Sequence, residues 1–328
     1  MTSTLGPTDE QVRTMHQNIM EQITADKASA ASIRTRPVVI RRRRIAFASV
    51  GAVAAAAVIL AGVIIPSGNG SSAEAATILN DAAALTITSS DLVAAPGEYL
   101  KIATEAAYAT VGRSGDGEPV TWISPSTITV YKPGDPDADW VMERHDLAPT
   151  EFFGDGAEAS ALANWAVMPN DPLTNGIFRA QDAAFYGAPD PARSTDALPR
   201  DPQELYEYIR SEYNGGSNNP DEDAWVRITA LLRTGTAPAD LRSALYRAAA
   251  LVPGIEAIPG QATLNGRTGI ALGRIESSRD ERQDIIIDPE TGELIGERTV
   301  RTKAGFGAPA GTIWAATAVT TTVVDTTP

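Results

Sequence analysis

Residues suited to catalysis or metal binding are scarce in this 328-residue chain. It has two histidines, His16 and His145, and no cysteine. A Ser–His–Asp triad needs a histidine beside its nucleophile, and zinc sites use several histidine or cysteine ligands. His145 lies alone on a predicted strand, and the sequence contains no glycine-rich phosphate loop. We therefore expect a protein that is not an enzyme and that holds neither a metal nor a cofactor.

Three aspartates, Asp135, Asp137 and Asp139, alternate along the chain as calcium ligands can. In a calcium-binding loop the sixth position is glycine and the twelfth is a bidentate glutamate. Counted from Asp135, these positions are Trp140 and Asp146. The departures favour a solvated acidic turn over a calcium site.

Two other clusters have structural explanations. The acids at residues 221–223 follow Pro220, and acidic side chains stabilise the first turn of a helix. Large aromatic residues are on average highly buried. We therefore predict that four tryptophans belong to the core: Trp122, Trp140, Trp165 and Trp225.

The elements that position these residues begin with a long apolar stretch. Residues 45–65 form 21 positions without a charge, amide or proline. At about 1.5 Å per residue, a helix of this length crosses a hydrocarbon core of roughly 30 Å. Four arginines directly precede it: Arg41, Arg42, Arg43 and Arg44. Because lysine and arginine collect on the cytoplasmic side, the pattern predicts a single transmembrane helix in the cell membrane, with residues 1–44 cytoplasmic and the C-terminal part outside.

A cleaved secretory signal and a buried core helix are the competing interpretations of this stretch, and the arginines on one side only disfavour the buried helix. A cleaved secretory signal has a shorter apolar region of about 7–15 residues, yet Ala73-Glu74-Ala75 fits a small-x-small cleavage site. Ala48, Ala52 and Ala56 recur every fourth position, as at close helix–helix contacts, although an alanine-rich composition gives the same spacing.

The net charge of −14 is unevenly distributed. Residues 1–44 carry +4 and the remainder carries −18. Nucleic-acid binding requires a basic footprint, so the C-terminal part is not expected to bind nucleic acid. The arginines near the apolar stretch are explained by topology and by anionic lipid headgroups, which makes the lipid bilayer the expected partner.

The N-terminal tail contains one predicted amphipathic helix. Its apolar residues recur at spacings of three and four: Val12, Met15, Ile19 and Ile23. An isolated helix of this length is marginal in water, so it needs a partner. Two interpretations stay open, namely a helix lying on the membrane or in a homo-oligomer, and a helix that docks onto a cytoplasmic protein.

The rest of the chain predicts a linker at 66–76 and an extracytoplasmic domain at 77–328. Ser71 and Glu74 fit a capping box that starts a short helix. Residues 148–200 lack periodicity, with weak helical character only at 158–165. Helices are expected to begin at Asp201, Asn219 and Pro238. The strands expected from β-branched and aromatic runs are 98–111, 120–131, 140–147, 255–261, 269–276, 284–287, 294–302 and 312–324. This order indicates an α+β domain, an antiparallel sheet with helices packed on one face.

A resemblance covers nearly all of the chain after residue 65. The segments that carry it are PGEYLKI, LPRDPQELYEYIRSEY, PDEDAWVRITALLRTG, ALYRAAALVPGIEAI, LNGRTGIALGR, IIIDPETGELIGERTV and AVTTTVVD. They resemble an actinobacterial family of single-pass membrane proteins of unknown activity, often encoded beside extracytoplasmic-function sigma factors. The resemblance implies a role in anti-sigma regulation and an outer domain similar to lipoprotein-carrier and RseB-type half-barrels, in which helices close a curved antiparallel sheet. It assigns no functional residues, and His16 lacks the cysteine partners of the zinc-binding anti-sigma class.

These observations favour a non-enzymatic sensor or regulator. Its outer domain would bind a hydrophobic envelope ligand, and its tail helix would contact a cytoplasmic partner such as a sigma factor. The alternative is a membrane-tethered carrier of lipid or lipoprotein, for which the tail serves only as an anchor. A hydrolase would need a cleft with clustered acids, which the sequence does not indicate.

Overall fold

One antiparallel sheet runs through the described part of the computed structural model, which comprises residues 71–88, 91–167, 175–188 and 195–328. The sheet has ten strands in the order β5-β3-β2-β1-β10-β9-β8-β7-β6, with β4 paired to β2. The strands are β1 Tyr99–Arg113, β2 Pro119–Pro133, β3 Trp140–Asp146, β4 Glu151–Phe153, β5 Gly176–Ala180, β6 Ile255–Ala262, β7 Thr268–Glu276, β8 Glu281–Ile287, β9 Leu294–Arg301 and β10 Ile313–Val324.

Short links join sequential strands, and each such pair is antiparallel as predicted. In the β8–β9 link the Gly292 amide donates to the Asp288 carbonyl at 2.9 Å. Gly292 has a φ of +73°, a conformation that glycine adopts at little cost. Residues 288–292 therefore form a tight turn between β8 and β9.

The first strand, β1, and the last strand, β10, pair at the centre of the sheet. Their pairing joins β2–β5 on one side to β6–β9 on the other. β1 pairs with β10 from Tyr99 opposite Val324 to Tyr108 opposite Ala315. More than 200 residues separate these partners in sequence. The pairing therefore brings residues from near the two ends of the domain together at the centre of the sheet.

Five α-helices accompany the sheet within the described residues. They are α1 Ala73–Thr88, α2 Ala157–Trp165, α3 Pro202–Ser211, α4 Pro220–Arg233 and α5 Ala239–Leu251. The side chains of Asp201 and Asn219 each accept hydrogen bonds from two backbone amides at the starts of α3 and α4. These caps satisfy amides that a helix leaves unpaired, and they confirm the predicted starts.

The start of α1 differs from its prediction. The Ser72 hydroxyl accepts from the Ala75 amide at 3.2 Å, while the Ser71 hydroxyl donates to the Ala250 carbonyl at 2.8 Å. The predicted capping box at Ser71 and Glu74 is therefore wrong by one residue, because Ser71 is bound to the end of α5. Helix α1 consequently occupies the last residues of the predicted linker 66–76.

The main core lies between the helices and the C-terminal strands. Trp225 of α4 and Leu245 of α5 are fully buried with Leu272 and Ile285, which are directly paired on β7 and β8. Directly paired residues share a face of an antiparallel sheet. Burial of such apolar side chains, at about 1.5–3 kcal/mol each, is the dominant stabilising contribution.

The region 148–200 contains more structure than its lack of periodicity indicated. Strands β4 and β5 are three and five residues long, too short to show an alternating pattern. Helix α2 covers the start of β2, where Ala157 and Ala161 pack with Val120 and Trp122. The sequence pattern, which showed only weak helical character at 158–165, did not reveal these two strands.

All these elements belong to one compact unit, Ile65–Pro328, which contains every core cluster described here. Within the described residues, no helix has both the length and the apolar character needed to span a membrane. The predicted span at 45–65 and the predicted tail helix lie outside the described residues.

Candidate functional site

A cavity of about 630 Å³ lies between α5, the α4–α5 link and the sheet. Binding sites for small molecules have volumes of about 300–1,000 Å³. Its walls come from parts of the chain far apart in sequence, including residues 91–94, the end of β2, the start of β9 and the second half of β10. The cavity is therefore large enough for a small ligand.

One wall of the cavity is apolar. Leu100 of β1 and Val319 of β10 are buried and pack with Leu294 of β9 and with Ala94. Leu232, from the end of α4, adds to the lining. This wall can bury hydrocarbon, at about 25 cal/mol per Å² of apolar surface removed from water.

The segment 91–94 is held over the cavity by one carboxylate. Asp91 accepts from the Ala239 amide at 3.0 Å, at the start of α5, and from an Arg242 Nη1 at 2.9 Å. Arg242 Nη1 also donates to the Ala237 carbonyl at 2.7 Å. Asp91 thus supplies a cap that α5 lacks in its own sequence, because the residue at its N-cap is Pro238.

The same segment exposes apolar side chains at the cavity. Leu92 and Val93 line the cavity, yet they are 51% and 77% exposed. Exposed apolar residues beside a pocket are typical of sites that contact a ligand, another protein or a membrane. The lining of the cavity therefore includes exposed apolar side chains.

The cations around the cavity have partners within the protein. The three cations of the lining are matched as follows: Arg242 with Asp91, Arg267 with Asp288, and Lys132 over the ring of Trp140. Their charges are therefore largely compensated within the protein. Such a site favours an amphiphile over a small, fully charged ion.

One buried hydroxyl close to the cavity has no hydrogen-bond partner among the described residues. It belongs to Tyr246 of α5, which is fully buried and lies beside the cavity. Burial raises the pKa of Tyr246, with Arg242 opposing and Glu293 reinforcing the shift. The phenol is therefore protonated at ordinary pH and is a hydrogen-bond donor.

A second buried polar group lies on the sheet outside the cavity. Glu297 of β9 accepts from Arg233 of α4 at 3.2 Å through Oε2, and its Oε1 has no partner among the described residues. Burial raises the pKa of Glu297 to about 7, more than Arg233 lowers it. Tyr108 of β1 lies near this pair and has a raised pKa, chiefly through burial. Glu297 is therefore the group of this cluster that titrates near neutral pH.

The residues singled out from the sequence for chemistry do not form a site. His145 pairs with Glu143 at 3.0 Å on the exposed part of β3. The Asp135 carboxylate accepts from the Asp137 amide at 3.0 Å, as in an ordinary turn. No three histidine or acidic side chains of the described residues are grouped to hold a metal.

The burial of two tryptophans and of one acidic residue of α4 differs from the prediction. Trp122 and Trp225 are buried, whereas Trp140 and Trp165 are partly exposed. Glu222 is buried and pairs with Arg279 at 3.2 Å, a connection from α4 to the β7–β8 link. The helix dipole alone does not explain that burial, which the sequence pattern could not show.

The residues assigned to membrane topology and partner binding lie outside the described residues. These are Arg41, Arg42, Arg43 and Arg44, and the helix face Val12, Met15, Ile19 and Ile23. Their roles stay predictions.

Sequence reasoning missed the main features of the cavity. Tyr246 was not assigned to the apolar face of α5, although its spacing of four from Arg242 places both on one side of the helix. Asp91 had no local signal, because its partners lie about 150 residues later. Glu297 follows the alternating pattern of a strand, and only its helix neighbour α4 makes that position buried.

The fold and the site together define an α+β protein with a large antiparallel sheet and a cavity of ligand size. No protein-family model matches the chain, and no curated protein matches it. A comparison with solved structures returns "The complex structure of Pseudomonas aeruginosa MucA/MucB", with 10% sequence identity and a TM-score of 0.25. The match covers 76% of this chain and 57% of that chain, little more than half of its length. A likeness at this TM-score supports no inference about function, and the actinobacterial family stays a resemblance.

Proposed function

We propose that this protein is a membrane-anchored, non-enzymatic sensor or regulator. Its C-terminal domain lies outside the cytoplasm and binds an amphiphilic envelope ligand in the cavity, within a curved half-barrel closed by helices. Its cytoplasmic tail contacts a regulatory partner, for which a sigma factor is the candidate. The observation that carries the proposal is the cavity, with its apolar wall at Leu100 and Val319.

Retention of a ligand during purification tests the binding function. The full-length protein is isolated from its membranes, the unit Ile65–Pro328 is released by a protease site placed before it, and organic extracts are analysed by mass spectrometry. We expect an amphiphile in stoichiometric amount from the wild type. Val319→Trp fills the cavity and should lose the ligand, at a stability cost of about 1–3 kcal/mol for overpacking.

The matched control makes the same substitution away from the cavity. Val226 lies on the exposed side of α4 and does not line the cavity. Val226→Trp should retain the ligand at the wild-type level. Equal recovery from both variants, or no ligand from the wild type, would contradict binding in the cavity.

The tail is tested separately from the cavity. Residues 1–44 are immobilised and exposed to a cytoplasmic extract, and bound proteins are identified by mass spectrometry. We expect a sigma factor bound by the wild-type segment and lost from Ile19→Asp, which places a charge on the apolar helix face. Recovery of the same proteins by both segments would refute a specific contact through that face.

The alternative is a tethered carrier of lipid or lipoprotein. The exposed Leu92 and Val93 at the opening favour it, because a carrier must contact a donor or acceptor surface. A carrier transfers its ligand to acceptor vesicles at a rate that rises with vesicle concentration. A rate independent of vesicle concentration favours the sensor.

A further inference from the structure

A strap formed by residues 91–95 runs along one side of the cavity, from the helices to the sheet. Its first four residues line the cavity. At one end Asp91 is bound to the start of α5, and at the other end the Ala95 carbonyl lies against Gly134, directly after β2. Residues of α5 and Gly134 also line the cavity. The strap therefore bridges two walls of the cavity.

The end of the strap at the sheet is firmly fixed. The Ala95 amide donates to the Glu98 carboxylate at 2.9 Å, and the Ala95 carbonyl accepts from the Glu98 amide at 2.8 Å. A Cβ on Gly134 would collide with the Ala95 carbonyl oxygen, so the strap and the β2–β3 link are packed without room for a side chain. This end can therefore act as a fixed point.

The end of the strap at α5 is held by a single side chain. Leu92 and Val93 are exposed, belong to none of the described core clusters and make no hydrogen bond to the other described residues. The bonds of the Asp91 carboxylate to the Ala239 amide and to Arg242 hold this end against the helix. The side chains of Asp91 and Arg242 are 35% and 19% exposed, so water can replace their contact at small cost.

We propose that the strap is the gate of the cavity and that Asp91 is its latch. When the bonds of Asp91 to α5 break, residues 91–93 swing away about the fixed end at Ala95, and the ligand enters or leaves. This inference rests on the proposed ligand-binding function and specifies how the ligand exchanges. Pro238 gives α5 no side-chain cap, so the capping bond and the ion pair of Asp91 favour the closed state with or without a ligand.

Exchange of a fluorescent probe tests the latch in the unit Ile65–Pro328, which contains every described core cluster. The probe is cis-parinaric acid, a polyene fatty acid that fluoresces in apolar surroundings. Association is followed by stopped-flow mixing, and dissociation by a chase with excess stearic acid. We expect Asp91→Asn to raise both rate constants about fivefold, which corresponds to about 1 kcal/mol, and to leave the Kd within about twofold of the wild type.

Asp288→Asn is the matched control. Asp288 pairs with Arg267, another cation of the lining, at 3.0 Å, and Asp288 itself does not line the cavity. Both rate constants should stay at their wild-type values in this variant. Equal acceleration by Asp91→Asn and Asp288→Asn would be a general effect of removing a negative charge and would overturn the inference.

Arg242→Gln removes the other half of the ion pair. It should also raise both rate constants, and the double variant with Asp91→Asn should exchange no faster than the faster single variant, because both substitutions break one interaction. High salt should speed exchange more in the wild type than in either variant, since salt screens a partly exposed ion pair. Additive effects, or the same salt response in all three proteins, would contradict a latch.

The two proposals fail in different ways. If cis-parinaric acid does not bind the wild type, both the ligand-binding function and the gate are refuted. If the probe binds the wild type but Asp91→Asn fails to fold, changes only one rate constant or changes neither, the cavity binds ligands and the strap is not its gate.

Discussion

Glu297 should make the stability of the domain fall as the pH rises toward neutrality. Its carboxyl is buried on β9, opposite Thr317 of β10 and Ile285 of β8, and beneath α4. The charged and titratable groups that face it are Arg233 from α4, Tyr108 from β1 and, through Tyr108, Arg144 from β3. Burial raises the pKa of Glu297 from 4.5 to about 7 despite Arg233.

The sign follows from proton binding. Because the pKa is higher in the folded state, the folded protein holds this proton more tightly than the unfolded chain does. The contribution to stability is complete below pH 4.5, is lost as the pH rises to about 7, and is constant above that. The interval from 4.5 to about 7, at roughly 1.4 kcal/mol per pH unit, gives about 3 kcal/mol.

Glu297→Gln removes this titration while keeping a neutral side chain of the same shape. Urea unfolding of both proteins, followed by tryptophan fluorescence between pH 5 and 8.5, gives the difference in free energy of unfolding at each pH. We expect the variant to gain about 2–3 kcal/mol relative to the wild type across this range. Other titrating groups cancel in the difference.

Glu105→Gln, an exposed position on β1, serves as the control and should show a difference that does not vary with pH. A pH-independent difference for Glu297→Gln would refute the reasoning. So would a variant that loses stability relative to the wild type as the pH rises, because the carboxylate would then be favoured by the fold.

Three other substitutions test separate parts of the structure. Asp91→Asn weakens the cap on α5 and the bond to Arg242. It should therefore lower the free energy of unfolding in urea by about 1 kcal/mol and speed cleavage near residue 91 in limited proteolysis. Unchanged values would contradict the role of Asp91 in holding segment 91–94. Asp284→Asn should cost about 3–5 kcal/mol in the same urea assay, because the fully buried Asp284 pairs with Arg282 and Arg298 and its loss leaves their charges uncompensated. A cost below about 1 kcal/mol would refute this. Leu60→Arg should raise the free energy of membrane insertion by about 2.5–3.5 kcal/mol in a glycosylation-based insertion assay. No effect would contradict a membrane span at 45–65.

The fold was predictable where local chemistry specifies an element. Asp201 and Asn219 each precede a proline, and this pairing predicted both the start of the helix and its capping residue. β-Branched and aromatic runs likewise predicted eight of the ten strands to within a few residues, all except β4 and β5. The pairing of β1 with β10 was not predictable, because no local link connects them.

The candidate site was much less predictable than the fold. Asp91, Tyr246 and Val319 are brought together only by the long-range pairing of the sheet and by the packing of α5. Each has an ordinary sequence neighbourhood. The burial of Glu297 depends on α4, which lies about 60 residues earlier, so strand alternation could not reveal it.

The binding function is tested most directly by a crystal structure of Ile65–Pro328 grown with cis-parinaric acid. We predict density for the polyene between α5 and β10, with its chain against Leu100 and Val319. A cavity that is closed or filled by protein side chains, or a probe bound only elsewhere, would contradict the account.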